Sequence, residues 1–462
     1  MTSISYENTA DVSYDPAEDK YWDKQSFERE LARTFDLCHG CRMCFKYCPA
    51  FPSLFEAMDT TADGDVHKLT EADRNRVVGE CYQCKICYVV CPYTKTDQHA
   101  YNIDFPALMQ RAVNIKARDE GVGLREKLLQ NPDLAGRMNT GLISRLVNGS
   151  MKSNFHRRII QAILGIHKDK SMPEFHRTSF MRWFGRYRKE QEREGRLIAD
   201  PVAKVVLFPT CFVTYNNPFL GREAVEVLEK NQVHVECPKQ NCCGMPPLEN
   251  GDLKLARKKM RGNVEALLPF VDQGYKILAI NPTCSMTLKK EYVTFLPVEW
   301  RERAQRIADA TMDPHEFLFE LKKEDKFNRD FKSTPGDVAY HVPCHLRAQN
   351  IGFRSRDMMK TVPGSKIGVV AECCGHNGTW AMKEEYFEMS LKAGERAFEG
   401  LKESGAEVVA TDCPLAAIQL EQGMDLSSRP LHPIQVLARA YREPGQGGWA
   451  RAVTAPAQTD GG

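Results

Sequence analysis

No stretch of this 462-residue chain approaches the roughly 18 consecutive apolar residues that a membrane-spanning helix needs. The opening MTSISYENTADVSYDPAEDKYWDK is acidic and polar, unlike a secretory leader. Charge of one sign is also missing. The 63 Lys and Arg against 61 Asp and Glu leave a formal +2, which gives no electrostatic reason to expect a nucleic-acid partner. No G-x-G-x-x-G follows a strand-like run to cradle a dinucleotide, and no serine–histidine–acid set can be read from the residue order. A cytoplasmic location is expected, where thiols stay reduced. With 42% apolar and 27% charged residues, the rest of the composition is that of an ordinary globular protein.

Cysteine is what the chain has in excess, 17 in all. Cys38, Cys41, Cys44 and Cys48 precede Pro49, and Cys81, Cys84, Cys87 and Cys91 precede Pro92. Each run reads C-x2-C-x2-C-x3-C-P, the bacterial ferredoxin spacing. Three thiols three residues apart can converge on one cubane, while the fourth ligates the cluster of the other run. The expected sets are therefore Cys38, Cys41, Cys44 and Cys91 on one [4Fe-4S] cluster, and Cys81, Cys84, Cys87 and Cys48 on a second. Zinc would favour paired C-x2-C units, and disulfides an oxidising compartment. The doubled pattern, proline included, speaks for electron-carrying clusters.

The length allows two to four domains. Residues 1–25 and 443–462 are poor in apolar periodicity and are expected to be loose. Residues 26–117 form the ferredoxin part, expected to be helical, with a helix start at Thr70-Glu71-Ala72-Asp73. Residues 118–200 form a helical connector. Its 151–195 stretch carries eleven Lys and Arg against five Asp and Glu, interleaved with Phe155, Ile159, Ile160, Ile163, Leu164, Phe175, Phe180, Trp183, Phe184 and Tyr187. Two readings stand for it: a basic amphipathic surface for anionic lipid or a partner, or a stripe packed on the protein itself with a solvated basic face.

From residue 203 the texture changes. AKVVLFPTCF, YKILAINPTC, DVAYHVPCH and AEVVATDCP are strand-like runs that each reach a cysteine, separated by helical patterns such as GREAVEVLEKN and MSLKAGERAFEGLKES. Alternation of this kind predicts parallel sheets in two α/β units, 201–330 and 331–442, with ligands at the carboxyl ends of the strands. The halves repeat. Cys211 matches Cys344, Cys242-Cys243-Gly244 matches Cys373-Cys374-Gly375, and Cys284 matches Cys413, at offsets of 133, 131 and 129 residues. Four thiols per unit could gather around one site, with a glycine free to adopt positive φ beside them. Cys237 is left over as a buried structural thiol.

FPTCFVTYNNPFLGREAVEVLEK, NCCGMPPLENG, NPTCSMTLKKEY, HVPCH, ECCGHNGTWAMKEEYF and TDCP together resemble the iron–sulfur subunit of anaerobic glycerol-3-phosphate dehydrogenases, over about residues 30–440. That group is part of a wider set of proteins with cysteine-rich CCG domains, which includes the glycolate oxidase iron–sulfur protein and the catalytic component of heterodisulfide reductase. The resemblance implies an α + α/β architecture: a helical two-cluster ferredoxin domain followed by two CCG units. It also implies electron relay in company with a flavin dehydrogenase or a quinone-linked partner. One departure is notable. The full CCG pattern ends in C-x2-C, and here Thr287 and Ala416 stand where the fifth cysteines would be. Four thiols suffice for a cubane but are short for the non-cubane cluster of heterodisulfide reductase.

The leading functional expectation is thus an electron-transfer subunit of a flavin dehydrogenase or other redox system. It carries two [4Fe-4S] clusters and has room for a further cluster in each CCG unit. It would be cytoplasmic, with contact to a quinone or to the inner face of the membrane open to it. Two alternatives are a catalytic reductase acting at a CCG cluster, with His345 and His376 as proton-donating candidates, and an iron–sulfur protein of oxidative-stress defence.

Overall fold

The computed structural model describes residues 12–444. The first part is helical, as the pattern predicts. Helix Lys24–Cys41 begins at Asp23, whose carboxylate accepts from the Ser26 N–H, and it buries Phe27, Leu31 and Phe35. These meet Phe51, Leu54 and Phe55 of helix Ala50–Glu56 and Phe105, Leu108 and Met109 of helix Phe105–Glu120. The Phe51 and Phe105 rings lie 4.6 Å apart at the centre. Helix Glu71–Glu80 starts on a reciprocal capping box between Thr70 and Asp73.

Residues 12–25 correct the expectation that the first 25 are loose. Tyr21 is buried, and the fully buried Arg111 donates to the carbonyls of Tyr21 at 2.7 Å and Lys20 at 2.6 Å. Asp15 pairs with Arg301 of the first α/β unit. Low apolar content misleads here because a buried guanidinium needs oxygen acceptors, and this segment supplies them. The expectations for residues 1–11 and 445–462 lie outside the described residues.

Two parallel sheets follow. β1 (Ala203–Phe208), β2 (Val233–Glu236), β3 (Lys276–Ala279) and β4 (Thr311–Met312) run in the order β2-β1-β3-β4, with Val205 opposite Val235 and Val206 opposite Ile277. β5 (Asp337–His341), β6 (Lys366–Val370) and β7 (Val408–Thr411) run in the order β6-β5-β7, with Tyr340 opposite both Val369 and Ala410. Helices Pro218–Lys230, Leu253–Val271 and Phe387–Glu403 make the crossovers that parallel pairing requires. The last helix, Pro433–Ala440, leaves its own unit. Ile434, Leu437 and Ala438 enter the core of the first unit beside Leu220, Ala224 and Val227.

The connector divides between its two readings. Helix Phe180–Arg193 buries Phe180 and Phe184 and lays Trp183 and Tyr187 on the first unit's core. Helices Ser144–Lys152 and Asn154–Leu164 are held instead through Arg157, which donates to the carbonyls of His167, Lys168 and Lys170. Their apolar side chains face outward, with Leu146 76%, Phe155 70% and Ile163 73% exposed.

Candidate functional site

Each ferredoxin run turns through residues in the left-handed region: Arg42 at φ 55°, Gln83 at 55° and Lys85 at 62°. These turns curl the backbone so that successive cysteines of a run can converge rather than spread along one helix face. Cys38, Cys41, Cys44 and Cys91 line one small cavity. Burial pushes the Cys38 thiol up, and Cys44, Cys91 and Cys41 raise it further. Around Cys48 and Cys87 the thiols in each other's field are those of Cys81 and Cys84. Burial and neighbouring thiols hold Cys44 up at about 12, and burial does the same for Cys81. The fourth cysteine of each run thus stands with the other run.

In the first α/β unit, Cys211, Cys242, Cys243 and Cys284 form a continuous chain of thiol contacts. Cys211 leaves β1 through Thr210, a β-branched residue at φ 73°. That conformation is strained, and it turns the following thiol back over the strand end. The Gly244 that closes the vicinal pair has φ 97°. The Asp133 carboxylate accepts from the Cys242 N–H at 3.4 Å and pairs with Lys259 at 2.6 Å.

In the second unit, Cys344 touches Cys373, and Cys374 lies in the field of Cys373 and Cys413. Here the sulfurs meet polar groups. The Tyr82 hydroxyl lies 3.0 Å from Cys373 Sγ, which also accepts from the Gly375 N–H at 3.2 Å. The Ala416 N–H donates to Cys413 Sγ at 3.4 Å. Its contact with Cys344, the Tyr82 and Gly375 donors and the Arg347 charge outweigh burial and bring Cys373 down to about 7. Cys344 also touches Cys84 of the ferredoxin part, so the line of thiols does not stop at the domain seam. Cys48, Tyr82, Cys84, Ile86, Trp380 and Cys344 share one small core there, with the Tyr82 and Trp380 rings 4.8 Å apart.

The cysteines of the two units do not make two remote sites. Cys211, Cys242, Cys243 and Cys284 of the first, and Cys344, Cys374 and Cys413 of the second, face a single cavity of about 260 Å³. His345 sits at this junction with both ring nitrogens engaged, Nδ1 with the Thr283 hydroxyl and Nε2 with the Gln83 carbonyl, each at 2.9 Å. It therefore ties the ferredoxin loop to both units. His341 is engaged in the same way, by Thr411 and the Glu372 carbonyl. His376 lines the cavity with both ring nitrogens buried and unpartnered. Cys237 stands apart, buried against Met181 and the Leu207 carbonyl.

Sequence reasoning missed Tyr82, Gln83, Trp380 and Asn377. Tyr82 and Gln83 sit inside the C-x2-C pair and look like spacer residues. Asn377 Nδ2 donates to the Tyr82 carbonyl, and Trp380 Nε1 donates to that of Gly79 at 3.0 Å, so the loop after Gly375 clasps the second ferredoxin run. Nothing in a single sequence signals that pairing of distant loops.

Residues 37–95 match the model of a 4Fe-4S dicluster domain, and residues 205–289 and 338–421 each match that of a Cysteine-rich domain. The chain is 30% identical over 413 residues to the C-subunit of anaerobic glycerol-3-phosphate dehydrogenase from Escherichia coli, covering 88% of this chain and 98% of that protein. It is 26% identical over 256 residues to the B-subunit of fumarate reductase (CoM/CoB) from Methanothermobacter marburgensis, which spans 53% of this chain and 48% of that protein. Lactate utilization protein A 2 of Bacillus mycoides is 28% identical over 216 residues, 46% of this chain and 87% of that protein.

Proposed function

This chain belongs to the family of the anaerobic glycerol-3-phosphate dehydrogenase C-subunit and is an iron–sulfur electron-transfer subunit with a redox partner; from that premise we propose the cluster content and the route. Cys38, Cys41, Cys44 and Cys91 hold one [4Fe-4S] cluster, and Cys48, Cys81, Cys84 and Cys87 hold the other. The thiols of each α/β unit hold one further iron–sulfur centre. The observation that carries this reading is the contact between Cys84 and Cys344, which joins the ferredoxin quartets to the shared cavity.

The residues fit such groups. Buried thiols gathered this closely cannot all ionise unless positive charge lies among them, as iron provides. The Gly375 and Ala416 N–H groups aimed at sulfur are the donors that thiolate ligands call for. When bound, the clusters supply one-electron chemistry. The chain supplies the rest: Tyr82 and Gly375 stabilise charge on Cys373, and His345 fixes the loop carrying Gln83. The Tyr82 and Trp380 rings, packed against each other at a tilt, fill the seam.

Two of the relatives are subunits of a dehydrogenase and a reductase, and a flavin dehydrogenase is the partner class proposed for this chain. The outward Leu146, Phe155 and Ile163, set among Arg145, Lys152 and Arg158, support contact with an anionic membrane surface. No helix among the described residues is long and apolar enough to cross a membrane.

Iron and acid-labile sulfide per chain, measured on anaerobically purified protein, test the cluster content. About sixteen of each is the expected result, and about eight would restrict clusters to the ferredoxin part. The catalytic-reductase reading loses one proton donor, because His345 has no free nitrogen. If His345→Ala abolished turnover with full iron content, that reading would return.

A further inference from the structure

The two units differ at the residue after the cysteine–cysteine–glycine turn. In the first it is Met245, 3% exposed, an apolar thioether that packs with Leu248 and Met260 and reaches the same cavity. In the second it is His376, on the wall of the shared cavity beside Cys344, Cys374 and Cys413. Both of its ring nitrogens are shut away from solvent with no hydrogen-bond partner. Three other buried histidines, His341, His345 and His432, have both nitrogens engaged, so the fold does satisfy imidazoles elsewhere. His315 also lacks a hydrogen bond, but the Asp313 and Asp412 carboxylates each lie 3.6 Å from its Nδ1. A buried polar group left open in a cavity of thiols is the mark of a ligand waiting for its metal.

The gap it could fill is on the same wall. Ala416, which also lines the cavity, stands where the fuller motif would bring a fifth thiol. Imidazole binds iron well, and histidine replaces cysteine on iron in other iron–sulfur centres. We propose that His376 ligates iron in the second unit, supplying a nitrogen donor where Ala416 supplies no thiol. The first unit has a methionine and no imidazole at that position and is ligated by cysteine alone. A neutral nitrogen in place of an anionic sulfur raises the reduction potential of the centre it binds. The Tyr82 and Gly375 donors on Cys373 act in the same direction. Electrons arriving past Cys84 therefore settle in the second unit in preference to the first.

This rests on the reading that the second unit holds an iron–sulfur centre, and the experiment separates the two claims. Full-length protein is purified anaerobically as wild type, Cys374→Ala, His376→Ala and His376→Cys, with iron counted in each. The reduced centres are then examined by pulsed EPR for nitrogen coupling, with 15N-labelled histidine as the probe. The expected result is a strong histidine-nitrogen coupling in the wild type that is absent from both His376 variants. His376→Cys keeps the wild-type iron content, and its centre becomes harder to reduce. If Cys374→Ala leaves the iron count unchanged, no centre sits in the second unit and both claims fall. If Cys374→Ala removes iron, but the wild type shows no histidine coupling or His376→Cys retains it, the ligand assignment alone is overturned.

Discussion

Replacing Tyr82 with phenylalanine removes one oxygen atom from the seam between the ferredoxin part and the second unit. The ring is 2% exposed and packs at a tilt against Trp380, and phenylalanine keeps that contact. The hydroxyl has one proton and two acceptors within reach, the Tyr47 carbonyl at 3.2 Å and Cys373 Sγ at 3.0 Å. A thiolate carrying cluster charge is the stronger acceptor and takes the proton. Hydrogen bonds to charged groups are worth about 1.5–3 kcal/mol. Only the part that grows when an electron is added alters the potential, and about 1 kcal/mol is a reasonable share of that range. With tenfold in the equilibrium at 59 mV for one electron, the loss corresponds to roughly 40 mV. The second unit's centre in Tyr82→Phe should thus titrate roughly 40 mV more negative in a potentiometric EPR titration, with iron content unchanged. An unmoved potential, or a shift to the positive side, would refute the reasoning.

Gly375→Ala should cost about 2 kcal/mol or more, because its Cβ would stand 1.7 Å from the Ser390 carbonyl at a φ of 72°. Gly244→Ala should cost less, since its nearest neighbour is the Met260 side chain at 3.2 Å; denaturant midpoints would rank the two. Leu146→Asp with Phe155→Asp should abolish co-pelleting with anionic vesicles at unchanged Tm, and unchanged pelleting would remove the membrane reading. Burial brings His341 down from 6.5 to about 4, so the fold keeps it neutral while the unfolded chain takes up a proton below 6.5. Its contribution is complete above that value and is lost as pH falls towards 4, by about 2 kcal/mol at pH 5. His341→Gln should flatten the dependence of the denaturant midpoint on pH by that amount.

The fold class was open to reading because parallel strands buried on both faces leave continuous apolar runs, and AKVVLF, KILA and VVAT are such runs. β2, only four residues long, and β6, whose side chains are mostly exposed, left no comparable mark. The repeat of cysteines was visible, but not that both sets face one cavity, since that depends on how two sheets are set against each other. The basic connector defeated periodicity for another reason. Helices Asn154–Leu164 and Phe180–Arg193 are both amphipathic, and only tertiary packing decides that Phe184 is covered while Phe155 is exposed. Tyr82 carries no local signal, because it acts on Cys373 of a distant loop, whereas His376 is marked by its place after Cys374-Gly375 but not by its unpartnered ring.

The crossing of helix Pro433–Ala440 into the first unit has a consequence for how the protein is made. Ile434, Leu437 and Ala438 complete a core whose other walls, Val205, Val213 and Leu220 among them, were synthesised more than 200 residues earlier. At roughly 5–20 residues per second on the ribosome, that core stays uncapped for on the order of 10–40 seconds. A chain halted before residue 433 keeps that apolar wall exposed, so its first unit stays a target for proteases until the helix arrives.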